Sequence, residues 1–267
     1  MYKDMVIRKM RGPALLALIL FSLSACVTTT TGGFAVEPSE EQAVRDYIQL
    51  ATGYFDAGDM AGARRHINNA MELDSRNSDI YNIQALVFQA EGDLDLAEEN
   101  FRRAISLDRD NSRARNNFAA LLFAASRYDE AYDQLERVTQ DVSYDGRAIA
   151  FENLGRSALR LDRQRDAQTA FQRALQLNSN LYMSALELAI IESNALNWQT
   201  ARRYFQQYMT TVNFYNIPHT PRALLAGIKI EGQFQNEQLV EGFVAILSTL
   251  YQDSPEYLMY QRLIDAN

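Results

Sequence analysis

An all-α superhelical solenoid of about six helix–turn–helix units is predicted by three observations in this 267-residue chain. The composition favours helices: Ala, Leu, Arg, Gln and Glu are common, while 12 glycines and 5 prolines are few for a chain of many short strands. A pattern of small and large apolar residues returns about every 34 residues. Gly-Asp and Asp-x-x-Asn segments, which close turns through backbone freedom and side-chain hydrogen bonds, punctuate that pattern.

The repeat is read directly. Ala63-Arg64-Arg65-His66-Ile67-Asn68-Asn69-Ala70 aligns with Ala97-Glu98-Glu99-Asn100-Phe101-Arg102-Arg103-Ala104 at an offset of 34. Further copies follow at Ala131/Leu135/Val138, Ala167/Phe171/Ala174 and Ala201/Phe205/Tyr208, with a weaker one at Leu239/Phe243/Ile246. The preceding helices carry Tyr47/Ala51/Tyr54, Tyr81/Ala85/Phe88 and Phe151/Gly155/Ala158. Gly58-Asp59 and Gly92-Asp93 mark the turn inside a unit; Asp74–Asn77 and Asp108–Asn111 mark the turn between units. Ala51, Ala63, Ala85 and Ala97 let paired helices approach, and Phe88, Phe101 and Phe171 fill the space around them. No single unit buries its apolar face alone, so neighbours must stack.

The period and pattern resemble the tetratricopeptide repeat (TPR). The expected units are 44–77, 78–111, 112–145, 148–181, 182–215 and 220–253, with a capping helix at 255–266, all in a domain spanning 39–267. Ser39-Glu40-Glu41-Gln42 fits a capping box at its start. Pro218 and Pro221 forbid a continuous helix through the insertion 210–222, which reads as part of a capping repeat rather than a special binding loop. Asp253-Ser254-Pro255 reads as a helix start with Pro at its first position. The fifth unit drifts, with Glu192 and Leu196 at turn-facing places.

The amino terminus reads as an address. Lys3, Arg8, Lys9 and Arg11 precede an apolar run from Ala14 to Phe21, which ends in Leu23-Ser24-Ala25-Cys26. Basic, then apolar, then small residues is the order of a secretory signal, expected over 1–25. The run is shorter than the ~20 apolar residues a spanning helix needs. Leu-Ser-Ala-Cys resembles the lipobox of bacterial lipoproteins, which implies cleavage before Cys26 and acylation of that residue. By resemblance to lipoprotein sorting, Val27 in place of Asp favours the outer membrane. Residues 26–38, polar and with Gly32-Gly33, read as the lipidated Cys and a flexible tether. Cys26 is the only cysteine, so an internal disulfide is excluded.

Chemistry of other kinds is not written in the chain. The net charge is −8, and removal of a +3 signal leaves about −11, which does not attract nucleic acid. His66 and His219 are not spaced as a metal pair. Gly155-Arg156-Ser157 lacks the second glycine of a nucleophile elbow. There is no Gly-rich phosphate loop, and the adjacent pairs Glu40/Glu41 and Glu98/Glu99 read as solvated faces. The chain is not expected to be an enzyme, to hold a cofactor beyond the covalent lipid on Cys26, or to take a small-molecule substrate.

Taken together, a lipobox, a polar tether and six TPR-like units resemble the type IV pilus biogenesis lipoproteins called PilF or PilW, the TPR pilotins. The resemblance is carried by Thr220–Ile230 and Leu250–Tyr257 in the last unit, and by Ala119–Leu122 and Arg127–Ala131 in the third. It departs at Phe234-Gln235-Asn236, where that family has a Gly-containing turn. The resemblance implies a protein of the outer membrane, facing the periplasm, whose partner is the pilus secretin subunit. There it would promote secretin localisation and multimerisation. Composition and periodicity fit equally a general periplasmic TPR scaffold lipoprotein that recruits cell-wall or envelope enzymes.

In a TPR solenoid the first helix of each unit lines the concave face, chiefly through its second, fifth, ninth and twelfth positions. The expected partner-binding residues are Arg45, Ile48, Thr52 and Phe55 in the first unit, and Asp79, Asn82, Leu86 and Gln89 in the second. Arg113, Asn116 and Phe123, with Ala120 between, follow in the third; Glu152 and Arg156, flanked by Ile149 and Leu159, follow in the fourth. Apolar anchors mixed with amides and guanidinium groups suit a peptide groove. Ile48 and Thr52 replace the lysine and asparagine of TPRs that grip a terminal carboxylate, so that mode is not expected.

Overall fold

A computed structural model describes residues 39–265. The signal, Cys26 and the tether lie outside the described residues. Thirteen α-helices follow one another among the described residues: α1 Glu40–Asp56, α2 Met60–Leu73, α3 Ser78–Glu91, α4 Leu94–Leu107, α5 Ser112–Ala124, α6 Tyr128–Val138, α7 Arg147–Arg160, α8 Gln164–Leu177, α9 Tyr182–Asn194, α10 Trp198–Phe214, α11 Pro221–Gln233, α12 Glu237–Leu250 and α13 Pro255–Asp265. Among the described residues there is no strand. The helices form an all-α TPR solenoid, paired α1/α2 to α11/α12.

Small side chains set the spacing. Ala51, Ala63, Ala85, Ala97, Ala131, Ala167 and Ala201 are all fully buried where paired helices cross. Phe101 and Phe171, also fully buried, fill the volume beside them; truncating either to Ala should cost about 3–5 kcal/mol. Gly155 is required at such a crossing, because a Cβ there would stand 2.7 Å from the Phe171 ring.

The turn inside every unit has one geometry. One residue adopts the left-handed conformation: Gly58 at φ 77° and Gly92 at φ 89°, then Ser126, Asp162, Leu196 and Gln235 at φ 55–61°. The next amide donates back to a helical carbonyl: Asp59 to Tyr54, Asp93 to Phe88, Arg127 to Leu122, Arg163 to Ala158, Asn197 to Glu192 and Asn236 to Glu231. This closure satisfies carbonyls the helix end would otherwise orphan. The departure at Phe234-Gln235-Asn236 therefore keeps the turn without its glycine.

Each first helix touches both its own partner and the first helix of the next unit, from α1 to α13, whereas no comparable row joins the second helices. The first helices thus form the inner, concave layer. The final helix α13 packs on α11 and so occupies the place of a seventh first helix. The core is continuous: Leu86 joins the first two units to the middle, and Leu175 and Tyr204 join the middle to the last two.

Some polar residues behave differently from their sequence reading. Glu98 is not a solvated acid: Arg127 of the next unit donates to it at 2.7 Å and also holds Glu130, while Arg102 reaches Glu98 from its own helix. Glu192 is buried and accepts hydrogen bonds from Gln168 and Asn197. His66 stacks between Tyr47 and Tyr54 and ties α2 to α1.

Candidate functional site

Units are locked along the concave layer by hydrogen bonds between successive first helices. Asn117 donates to Asn82 at 3.0 Å, and Asn153 to Asn116 at 3.5 Å. Asn111 donates to Asp79 at 2.9 Å. Glu152 accepts from both the backbone and the hydroxyl of Ser184, capping the start of α9. A buried amide or carboxylate without a partner would be costly, so these pairs fix the register between units.

This divides the residues expected to bind a partner into two groups. Asp79, Asn116 and Glu152 spend polar atoms on the neighbouring unit, and Asn82 is buried. Arg45 is exposed but tied along its own helix to Glu41 and Gln42, and the Thr52 hydroxyl donates to the Ile48 carbonyl. Ile48, Phe55 and Leu86 are half-buried and pack on the first core cluster. Gln89 is half-buried, and its Oε1 has no hydrogen-bond partner among the described residues. Arg113 and Ile149 are exposed.

Phe123 and Arg156 are brought together. The Arg156 guanidinium lies 4.8 Å from the centre of the half-buried Phe123 ring. Both line a cavity of about 210 Å³ between α5 and α7, with Ala119, Ala120 and Leu135 as its apolar lining and Asn153 at its polar side. Apolar walls with a few convergent polar groups are what a side chain of a bound peptide needs.

A second cavity of about 210 Å³ follows along the same layer, lined by Leu159, Ile190, Ile191, Glu187 and Arg222. Arg222 of α11 donates to Glu187 of α9 at 2.6 Å. Burial pushes the Glu187 carboxyl above its ordinary range, while Arg222 and Arg156 pull it back. Sequence reasoning missed Glu187, Arg222, Asn117 and Asn153. Ile190 was within reach, since the ninth position extended into the fifth unit arrives at it; the ion pair spans 35 residues and recurs in no other unit, so periodicity carries no signal for it.

Comparisons with known proteins agree with this architecture. A family profile described as Tetratricopeptide repeat matches residues 88–148. The Type IV pilus assembly protein PilF of Pseudomonas aeruginosa is 31% identical over 249 residues, covering 93% of this chain and 97% of that one. The solved structure of Pseudomonas aeruginosa PilF superposes with a TM-score of 0.78 at 32% identity, covering 84% of this chain and 98% of that one. The crystal structure of PilW, a widely conserved type IV pilus biogenesis factor, gives 0.66 at 25% identity, covering 82% and 99%. Both named relatives are thus proteins of type IV pilus assembly or biogenesis, and the matched family profile is the tetratricopeptide repeat. With 31% identity along 93% of its length, the chain belongs to the PilF/PilW family of TPR proteins that serve type IV pilus biogenesis.

Proposed function

We propose that this protein is the pilotin of its pilus system, an acylated lipoprotein of the outer membrane that binds the secretin subunit from the periplasmic side and promotes its localisation and multimerisation. The observation that carries the binding reading is the concave cavity between α5 and α7, where Arg156 covers Phe123 above an apolar lining. It lies next to the Glu187–Arg222 cavity, so an extended segment can place two side chains and run along the first helices. The lipid on Cys26 adds high local concentration at the membrane. Two or more acyl chains are needed for stable anchorage, as the lipobox implies.

The test is a deletion strain complemented with variants and assayed for heat-stable secretin multimers in the outer membrane. Wild type restores them. Cys26→Ala leaves secretin mislocalised, and Phe123→Asp abolishes secretin binding by the purified protein. Normal multimers in the Cys26→Ala strain overturn the tethering role. Unchanged binding by Phe123→Asp moves the interface off the concave face, and normal multimers in the deletion strain favour the general scaffold.

A further inference from the structure

The second helix of the fifth unit is built differently from the others. Helix α10 has 17 residues, whereas α2, α4, α8 and α12 have 14 and α6 has 11. Its added turn ends in Phe214 and Tyr215, which are 76% and 54% exposed and are the most exposed aromatic side chains among the described residues. Their rings meet edge to face at 4.9 Å, so the pair is one aromatic knob.

The base of the knob is fixed. Asn216 takes φ 53°, and the Ile217 amide donates to the Val212 carbonyl at 2.8 Å, returning Ile217 to the core. Two residues on, His219 Nδ1 shares a hydrogen bond with Tyr208 Oη at 3.1 Å, and the His219 carbonyl accepts one from Tyr251 at 3.0 Å. Thr220 then caps α11, with Pro221 in its first turn. Two large rings are thus held in water by a rigid mount, and a rigid anchor loses little conformational entropy on docking.

Topology says what stands opposite. First helices begin, and second helices end, on one edge of the solenoid. The chain enters that edge at Ser39, and the knob closes α10 on it. On either side of α10 the neighbouring second helices end there in Leu177 and Leu250, 50% and 67% exposed. The 13 peptide links from Cys26 to Ser39 span at most about 45 Å when fully extended, so the point where the chain enters this edge lies within that reach of whatever holds Cys26.

We infer that this edge docks on the lipid surface, with Phe214 and Tyr215 inserted at the boundary between headgroups and acyl chains. Aromatic rings with an apolar body suit that layer, and the Tyr hydroxyl keeps contact with water and headgroups. The inference rests on the lipid anchor of the preceding section and adds an orientation to it. The concave layer is another side of the solenoid, so docking leaves the groove open to a protein.

The experiment uses acylated protein purified from the membrane fraction and reconstituted into phosphatidylethanolamine–phosphatidylglycerol vesicles. The single tryptophan, Trp198, begins α10 and therefore sits on the opposite edge, where it serves as an internal control. Bromine-labelled lipids should leave wild-type emission unchanged and remove most of the emission added by Tyr215→Trp or Phe214→Trp. Added emission that survives, in protein that floats with the vesicles, overturns the inference while the anchor stands. Protein that does not float with vesicles overturns the anchor and this inference with it. Loss of secretin binding by Phe214→Ser/Tyr215→Ser in detergent, without lipid, assigns the knob to a protein interface and also overturns it.

Discussion

The guanidinium of Arg156 and the ring of Phe123 face each other at 4.8 Å across the boundary between the third and fourth units. Among the described residues Arg156 makes no salt bridge, and its charge acts on the Glu187 carboxyl of the neighbouring cavity at longer range. An exposed contact of this kind contributes only about 0.5–1 kcal/mol to stability. Arg156→Ala is therefore expected to leave the urea midpoint nearly unchanged and, on the proposed function, to weaken binding of the secretin subunit by roughly tenfold, as an anchor residue would. Calorimetric titration with the purified secretin subunit checks the second part; equal affinity for both proteins removes Arg156 from the interface.

Two glycines should respond oppositely to the same substitution. A Cβ on Gly155 would stand 2.7 Å from Phe171, a ring with no room to retreat, so Gly155→Ala is expected to cost about 1–3 kcal/mol. A Cβ on Gly53 of α1 meets nothing within 4 Å. Gly53→Ala there restricts only the unfolded chain and should add about 0.5–1 kcal/mol. Denaturation of the two variants beside wild type reads both signs.

These contrasts show what the sequence could carry. Ala63, Ala97 and Ala167 recur because every helix crossing needs the same small volume, so periodicity finds them. The polar joints vary from one unit boundary to the next: Asn82–Asn117, Asn116–Asn153, Glu152–Ser184, Glu187–Arg222. They do the same mechanical work with different side chains 32–37 residues apart, and no repeat pattern pairs them. Asn82 and Glu152 were thus readable as lining positions but not as joints. Phe123 and Arg156 were readable as separate lining residues. Their convergence depends on the angle between units, which a single sequence does not fix.

Leu196 carries a backbone cost that a substitution can release. It sits at φ 61° in the turn that Gly58 and Gly92 make in the first two units, and it is 69% exposed. A residue with a Cβ pays about 1–2 kcal/mol to stay left-handed, against a smaller entropic cost for glycine. Leu196→Gly is expected to raise stability by about 0.5–1 kcal/mol. A lowered urea midpoint would show that the exposed side chain, despite its solvation, holds the turn.

The mount of the aromatic knob should be sensitive to acid. Burial holds the His219 imidazole below its ordinary value of 6.5; the Tyr208 and Phe243 rings pack on it, and Tyr251 donates to its backbone carbonyl. Burial also pushes the Tyr208 hydroxyl up to about 12, so that ring stays neutral throughout. Well above 6.5 both folded and unfolded chains keep His219 neutral, and it adds no pH dependence. As the pH falls below 6.5 the unfolded chain takes up a proton that the folded one resists, and stability drops until the folded value is passed. His219→Asn offers a side-chain amide near the position of Nδ1 and does not titrate. The loss of melting temperature between about pH 7.5 and about pH 5 should therefore be smaller in this variant than in wild type. An equal loss in both proteins would place the acid sensitivity in the carboxylates instead.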